Sequence, residues 1–263
     1  MIKLLFVGDV IGKPGRRALQ RMLPGLVDQH GIDYTVVNIE NSAGGFGITP
    51  SVLAELSELP IDCFSSGNHI WDKRDGLPLL DEVPNLLRPA NYPEGNPGHG
   101  VHVGETAAGI PVATLNLEGR VFMSDLDSPF TIADRLLAEL PSEVKVVLVD
   151  FHAEATSEKQ AMGFYLDGRV SAVLGTHTHV PTADERILAG GTALITDVGM
   201  TGPYDGIIGF SAQKSLQRFL LQTGSRLEVA KGDVRLAAAV LDIDEDTGQA
   251  QSVRRLLVPD HGP

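Results

Sequence analysis

The residues of this chain with the chemistry of a reactive site stand at the ends of short apolar runs. Asp9 closes LLFVGD (4–9), Glu40 and Asn41 close YTVVNIEN (34–41), and Asn68 and His69 close CFSSGNH (63–69). His152 closes VKVVLVDFH (144–152), while His177 and His179 close AVLGTHTH (172–179). Four of the eight histidines thus fall at such ends, where scattered surface histidines have no reason to gather. Two carboxylates, two amides and three or four imidazoles form a nitrogen and oxygen donor set without sulfur, which suits divalent transition ions such as Fe, Mn or Zn. The set is larger than one closed tetrahedral zinc site needs, and a carboxylate can bridge, so it points to two adjacent ions with Glu40 between them. If GTHTH is extended, His177 and His179 share one face with Thr178 on the other, and the pair can serve neighbouring ions.

The runs that end on these residues are β-branched and almost uniformly apolar, as strands buried on both faces are. ALITDVG (193–199) is a sixth of the same kind. Segments 16–30, 50–59, 131–140, 155–166 and 211–223 carry helical spacing, with Pro24 and Gly25 expected to kink or break the first. Alternation of strand and helix predicts an α/β sandwich with right-handed crossovers, in which ligands gather beyond the carboxyl ends of the strands. Segments 100–106, 110–119, 235–244 and 250–258 read as antiparallel, hairpin-like strands. The Pro- and Gly-rich stretch 91–100 is the only candidate boundary, and it reads as a surface loop, so residues 1–263 are expected to form a single domain.

The formal net charge of −13 speaks against a surface that binds nucleic acid non-specifically, although bound cations would reverse the sign locally and admit one phosphate. Cys63 is the only cysteine, which excludes an intrachain disulfide and a thiolate zinc site and fits a reducing, cytoplasmic setting. The opening MIKLLFVGDV is interrupted by Gly8 and Asp9 before it reaches signal-peptide length and reads as a first strand. No run approaches the ~20 apolar residues of a membrane span. A soluble protein without membrane attachment is expected.

Taken together, GD (8–9), GNH (67–69), FHAE (151–154) and GTHTH (175–179) resemble the calcineurin-like metallophosphoesterase superfamily. More closely, GDVIGKPGR (8–16), NIENSAGGFGIT (38–49), SGNHIWDK (66–73), RPANYP (88–93), NLEGRVFM (116–123), DFHAE (150–154) and TDVGMTGPYDGIIG (196–209) resemble the YmdB-like bacterial subfamily. The resemblance runs from residue 1 to about 255 and implies a four-layer αββα fold, two β-sheets flanked by helices. Ile11 and Glu40 stand where the wider superfamily usually has a histidine and an aspartate. The resemblance therefore implies Asp9, Glu40, Asn41 and His179 on one ion, Glu40, Asn68, His152 and His177 on the other, and His69 free of metal. It further implies iron or manganese.

Such a pair of ions would stabilise a bridging hydroxide that attacks phosphorus in line while His69 protonates the departing oxygen as general acid. The activity implied by the resemblance is a phosphodiesterase on small 2',3'-cyclic nucleotides. Two alternatives remain, a phosphomonoesterase or endoribonuclease with the same ions, and a regulatory module that only binds them. Arg120, Phe122, Met123 and Met200 are candidates for a substrate wall, and Lys13, Arg16 and Arg17 for phosphate contacts. Arg16, Arg17, Lys73 and Arg120 could also make a local basic patch. His30, His99 and His102 read as non-ligands and Trp71 as a packing residue. Exposed edges among the late strands suggest a homo-oligomer paired across a twofold.

Overall fold

The computed structural model describes residues 1–224 and 226–262. Two sheets lie face to face. The first has the order β2 (Asp9–Val10), β11 (Met200–Pro203), β12 (Val234–Ile243), β1 (Ile2–Val7), β3 (Tyr34–Asn38) and β4 (Cys63–Ser65), with β13 (Ala250–Pro259) also paired to β12. The second has the order β5 (Val101–Glu105), β6 (Pro111–Glu118), β7 (Val146–His152), β8 (Ala172–Thr176), β10 (Ala193–Ile195) and β9 (Arg186–Ile187). Helices α1 (Gly12–His30), α2 (Pro50–Ser57) and the single turn α3 (Leu79–Glu82) flank the first sheet, and α4 (Pro129–Glu139) and α5 (Thr156–Leu166) flank the second. The last helix is α6 (Ala212–Leu221).

Strand β1 shows why the layers form. Leu5 and Val7 face Leu19, Leu23 and Leu53 of α1 and α2, whereas Leu4 and Phe6 face Val112, Val146 and Leu148 of the other sheet. A third cluster seats Ala133 and Leu136 of α4 and Met162 and Leu166 of α5 against β6, β7 and β8. Alternate side chains of the strands feed different interfaces, and three apolar interfaces make the four layers αββα. This is the fold the resemblance implied. Among the described residues, no helix is long and apolar enough to cross a membrane.

Several boundaries differ from the sequence reading, for physical reasons. Helix α1 starts four residues early and runs unbroken through Pro24. Pro24 and Gly25 lie on its exposed side, so the Gln20 carbonyl that Pro24 cannot satisfy is open to water, while buried Leu19, Leu23 and Leu26 hold the helix to the core. Strand β6 is antiparallel to β5, as expected, but parallel to β7 on its other side. The strands are also shorter than the apolar runs. Only β7 carries its polar residue, His152, within the strand; Glu40, Asn41, Asn68, His177 and His179 stand in the loops beyond, and Asp9 lies on the separate strand β2. His177 (φ 95°) and His179 (φ 65°) adopt left-handed backbone, so the alternation argument for their common face does not apply.

Two glycines give opposite expectations. A Cβ on Gly175 would lie 1.9 Å from the Thr196 carbonyl oxygen, whereas one on Gly25 would meet nothing within 4 Å. Gly175→Ala should lower the unfolding free energy by about 1–3 kcal/mol, as overpacking does. Gly25→Ala should raise it by about 0.5–1 kcal/mol. Denaturant titration of the two variants beside the wild type measures both.

Candidate metal centre

The carboxyl ends of strands from both sheets open onto one small volume. Asp9 enters from β2, Glu40 and Asn41 from the loop after β3, Asn68 from a 3₁₀ turn (Asn68–Asp72) after β4, His152 from the end of β7, and His177 and His179 from the loop after β8. Two triads of donor atoms, each mutually within 4.8 Å, result: Glu40, His152 and His177, and Asp9, Glu40 and His179. Glu40 belongs to both. Asn68 Oδ1 lies 3.1 Å from His152 Nε2, which places the amide in the first group.

Local structure orients each ring. His152 Nδ1 donates to Thr176 Oγ1 at 2.9 Å, because the Thr176 hydroxyl is itself donated to Asp150 Oδ1 at 2.7 Å. Asp150 is buried and held further by Asn38 (2.8 Å) and Ser65 (2.5 Å). His152 therefore turns Nε2 to the cluster. Gly67 makes room for that ring: a Cβ there would sit 2.2 Å from Nε2. His177 Nε2 lies 3.1 Å from Glu154 Oε2, and its Nδ1 meets His152 Nε2 at 3.0 Å. His179 donates Nδ1–H to the Ile208 carbonyl (2.9 Å), which turns its Nε2 lone pair to the cluster. An outer partner of this kind fixes the tautomer a metal needs.

The electrostatics are those of a cation site. Asp9 Oδ1, Glu40 Oε1 and Asn41 Oδ1 are buried oxygens that no described residue satisfies with a hydrogen bond. Glu40 Oε1 is 3.2 Å from His152 Nε2, an ion-pair contact that lacks hydrogen-bond alignment. Unpaired buried acceptors of this density are costly, and a divalent ion satisfies all of them at once. Burial pushes the Asp9 carboxyl well above the usual range against the pull of His152. Burial acts the same way on Glu40, but the His152 charge and the His69 amide hold it down at about 2. Burial opposes charge on His152, yet Glu40 and Asp9 lift it to about 9. Burial and the neighbouring His152 depress His177 to about 3, and burial also lowers His179. The residues thus fit divalent metal, with His177 and His179 neutral at physiological pH.

His69 stands beside this cluster and outside both triads. Its backbone N–H donates to Glu40 Oε2 (2.9 Å), its Nδ1 meets Asp72 Oδ2 (2.8 Å), and Phe46 packs edge-on at 4.9 Å between centroids. Asp72, Thr176, Asp150 and Glu154 escaped the sequence reading. Only Asp72 carried a signal, the i, i+3 spacing to His69 that a tight turn brings together.

The remaining candidates fall elsewhere. Met200 is buried and pairs with Asp9 in the β2–β11 ladder. Phe122 is 89% exposed, and Arg120 turns to Asp125 (2.7 Å). Arg120 and Met123 line a separate cavity of about 380 Å³ that includes no residue of the cluster. Arg16 braces the loop after β3 through Glu55 (2.9 Å) and the Ser42 carbonyl (2.6 Å), while Lys13 and Arg17 line a cavity of about 500 Å³ apart from the cluster. Lys73 flanks a neighbouring cavity. Trp71 packs on Tyr92 at 4.9 Å, as a packing residue should. His30 meets Arg254, His99 donates to Pro84, His102 lies on β5, and none of the three joins a donor group among the described residues.

A proton on His152 must leave when a metal takes its lone pair. With His152 raised to about 9, loading near neutral pH should release protons, release from this group should fade above pH 9, and affinity should weaken on acidification. Calorimetric titration with Mn²⁺ in buffers of different ionisation heat measures this; an observed enthalpy independent of buffer would contradict it.

Comparison with known proteins agrees with the geometry. The model of the YmdB-like protein family matches residues 5–256. The chain is 48% identical over 259 residues to a 2',3'-cyclic-nucleotide 2'-phosphodiesterase of Bacillus subtilis, covering 98% of each chain. Among solved structures, a hypothetical protein of Thermus thermophilus superposes with a TM-score of 0.92 at 42% identity, covering 98% of this chain and all of the other. A protein of Mycoplasma pneumoniae described as a novel phosphatase superposes with a TM-score of 0.91 at 33% identity, covering 99% of this chain and 95% of the other. With the match spanning both sheets and every residue of the donor cluster, the chain belongs to the YmdB-like family.

Proposed function

We propose that this chain is a dinuclear metal-dependent phosphodiesterase that opens 2',3'-cyclic nucleotides at the 2' oxygen. The observation that carries the reading is the sharing of Glu40 between two donor triads, with His69 outside both and its backbone N–H donated to the same carboxylate. One ion is assigned to Asp9, Glu40, Asn41 and His179, the other to Glu40, Asn68, His152 and His177, and the metal is iron or manganese. When bound, the ions supply the positive charge that acidifies water and holds the non-bridging phosphoryl oxygens. The substrate class follows from the Bacillus subtilis relative.

The protein's own part is proton delivery and alignment. Asp72 holds His69 Nδ1, which leaves Nε2 to carry the proton to the departing ribose oxygen. Because the His69 amide grips Glu40, the acid is fixed relative to the carboxylate shared by both groups. Phe46 packs against the ring and braces it from a second side. The acid favours an enzyme over a module that only binds ions, since binding alone needs no proton donor. The whole chain is taken to act as one domain, with a small phosphodiester as its partner.

A phosphomonoesterase is the second reading, favoured by the Mycoplasma pneumoniae relative described as a phosphatase. Turnover of 2',3'-cyclic AMP, bis(p-nitrophenyl) phosphate and p-nitrophenyl phosphate by Mn²⁺-loaded protein separates the two. The diesters should be preferred; preference for the monoester would promote the second reading. His69→Ala should lower kcat by about 10²- to 10⁴-fold with metal content unchanged. Asp72→Asn should cost less, and Glu40→Ala should strip both ions. Equal kcat in wild type and His69→Ala would remove the acid from the mechanism.

A further inference from the structure

The TDVG stretch (196–199) makes no contribution to the donor set, yet it contains the most heavily hydrogen-bonded carboxylate near it. Asp197 Oδ2 accepts from Lys159 Nζ at 2.7 Å, Thr178 Oγ1 at 2.7 Å and the Thr178 amide at 3.1 Å; Oδ1 accepts from the Gly199 amide at 2.8 Å. Its backbone is fixed as well, by the Thr182 hydroxyl (2.9 Å) and the Thr182 amide (3.0 Å). Both charged side chains are about 2% exposed. A buried ion pair offers little net stability over apolar residues of the same volume, so fold stability alone gives little reason for one under a loop.

What the pair touches gives that reason. Thr178 lies between His177 and His179, which both hold left-handed backbone. Such backbone is strained in residues with a Cβ and persists where its surroundings over-determine it. The two bonds from Thr178 to Asp197 do this. The other carboxylate oxygen holds Gly199, whose carbonyl abuts Gly8 so closely that a Cβ there would lie 1.9 Å from it. The next residue, Met200, pairs with Asp9, and Asp9 Oδ2 accepts from the His177 amide at 3.2 Å. One carboxylate thus reaches the histidines of the second sheet through one oxygen and Asp9 of the first through the other.

We infer that the Lys159–Asp197 pair is a positioning device that sets the register between the ligands of the two sheets, and so sets metal affinity without touching metal or substrate. The inference rests on the metal reading of the site. Lys159, on α5, holds Asp197 Oδ2 on the side of Thr178; the carboxylate transmits that position to both histidines and to Asp9.

The test is Mn²⁺ affinity, by competition with a chelating dye, of Asp197→Asn, Lys159→Met and Thr178→Val, together with amide hydrogen exchange at Thr178 and Gly199 in the metal-free proteins. Each variant should bind Mn²⁺ more weakly, by roughly 10- to 100-fold for the charge-pair variants. Exchange at the two amides should quicken while near-ultraviolet circular dichroism stays native. Thr178→Val, which leaves no buried charge unpaired, keeps the test open if a charge-pair variant fails to fold. Folded variants with wild-type affinity and exchange would overturn the inference alone. A wild type that binds no divalent ion would overturn the reading of the site and the inference with it.

Discussion

Three buried oxygens without donors, on Asp9, Glu40 and Asn41, are the constraint around which this molecule is arranged. Acceptors gathered in a protein interior repel one another and forgo the hydrogen bonds of water, and protonation relieves only part of that cost. Divalent cations relieve all of it. The neutral state of His177 and His179 and the low range of Glu40 prepare the cluster for metal, whereas the proton on His152 marks what an ion must displace. Chemistry and fold stability therefore meet in the same few atoms.

The fold serves this cluster by ending strands from two sheets at one rim. The central apolar interface, with Phe6, Val36, Leu148 and Leu174 in contact across it, fixes the distance between the sheets. The loops beyond the strands then make the final adjustment. Gly67 lets the His152 ring approach, the left-handed turns at His177 and His179 place two rings at the cluster, and outer partners, Thr176 with Asp150 for His152, the Ile208 carbonyl for His179 and Asp72 for His69, orient the imidazoles. Precision at the centre comes from this outer layer as much as from the ligands.

Much of this was legible in the sequence. Apolar runs ending on polar residues pointed to the strands and to eight candidate site residues, His69 among them, because burial on both faces and a functional rim each leave a mark in residue order; the division into seven ligands and one free histidine came from the family resemblance. What was not legible depended on how the chain turns or on who meets whom. The strand pattern says nothing of where a strand stops, so GTHTH read as extended although it bends after Thr176. Pro24 and Gly25 were expected to kink or break α1, an expectation that weighed the residue types and not their place on the side away from the buried Leu19, Leu23 and Leu26, where a missing bond is tolerated. The bonds of Thr176 to Asp150 and of Lys159 to Asp197 join segments 26 and 38 residues apart, and no spacing rule pairs such residues.

The central claim, two cations held between the sheets with Glu40 shared by both, is most directly tested by a crystal structure of the Mn²⁺-loaded protein with anomalous differences collected at the manganese edge. Two peaks about 3.5–4 Å apart, each within bonding distance of a Glu40 oxygen, are the predicted result. A single peak, or peaks away from Glu40 with His152 and His179 on neither, would contradict the account.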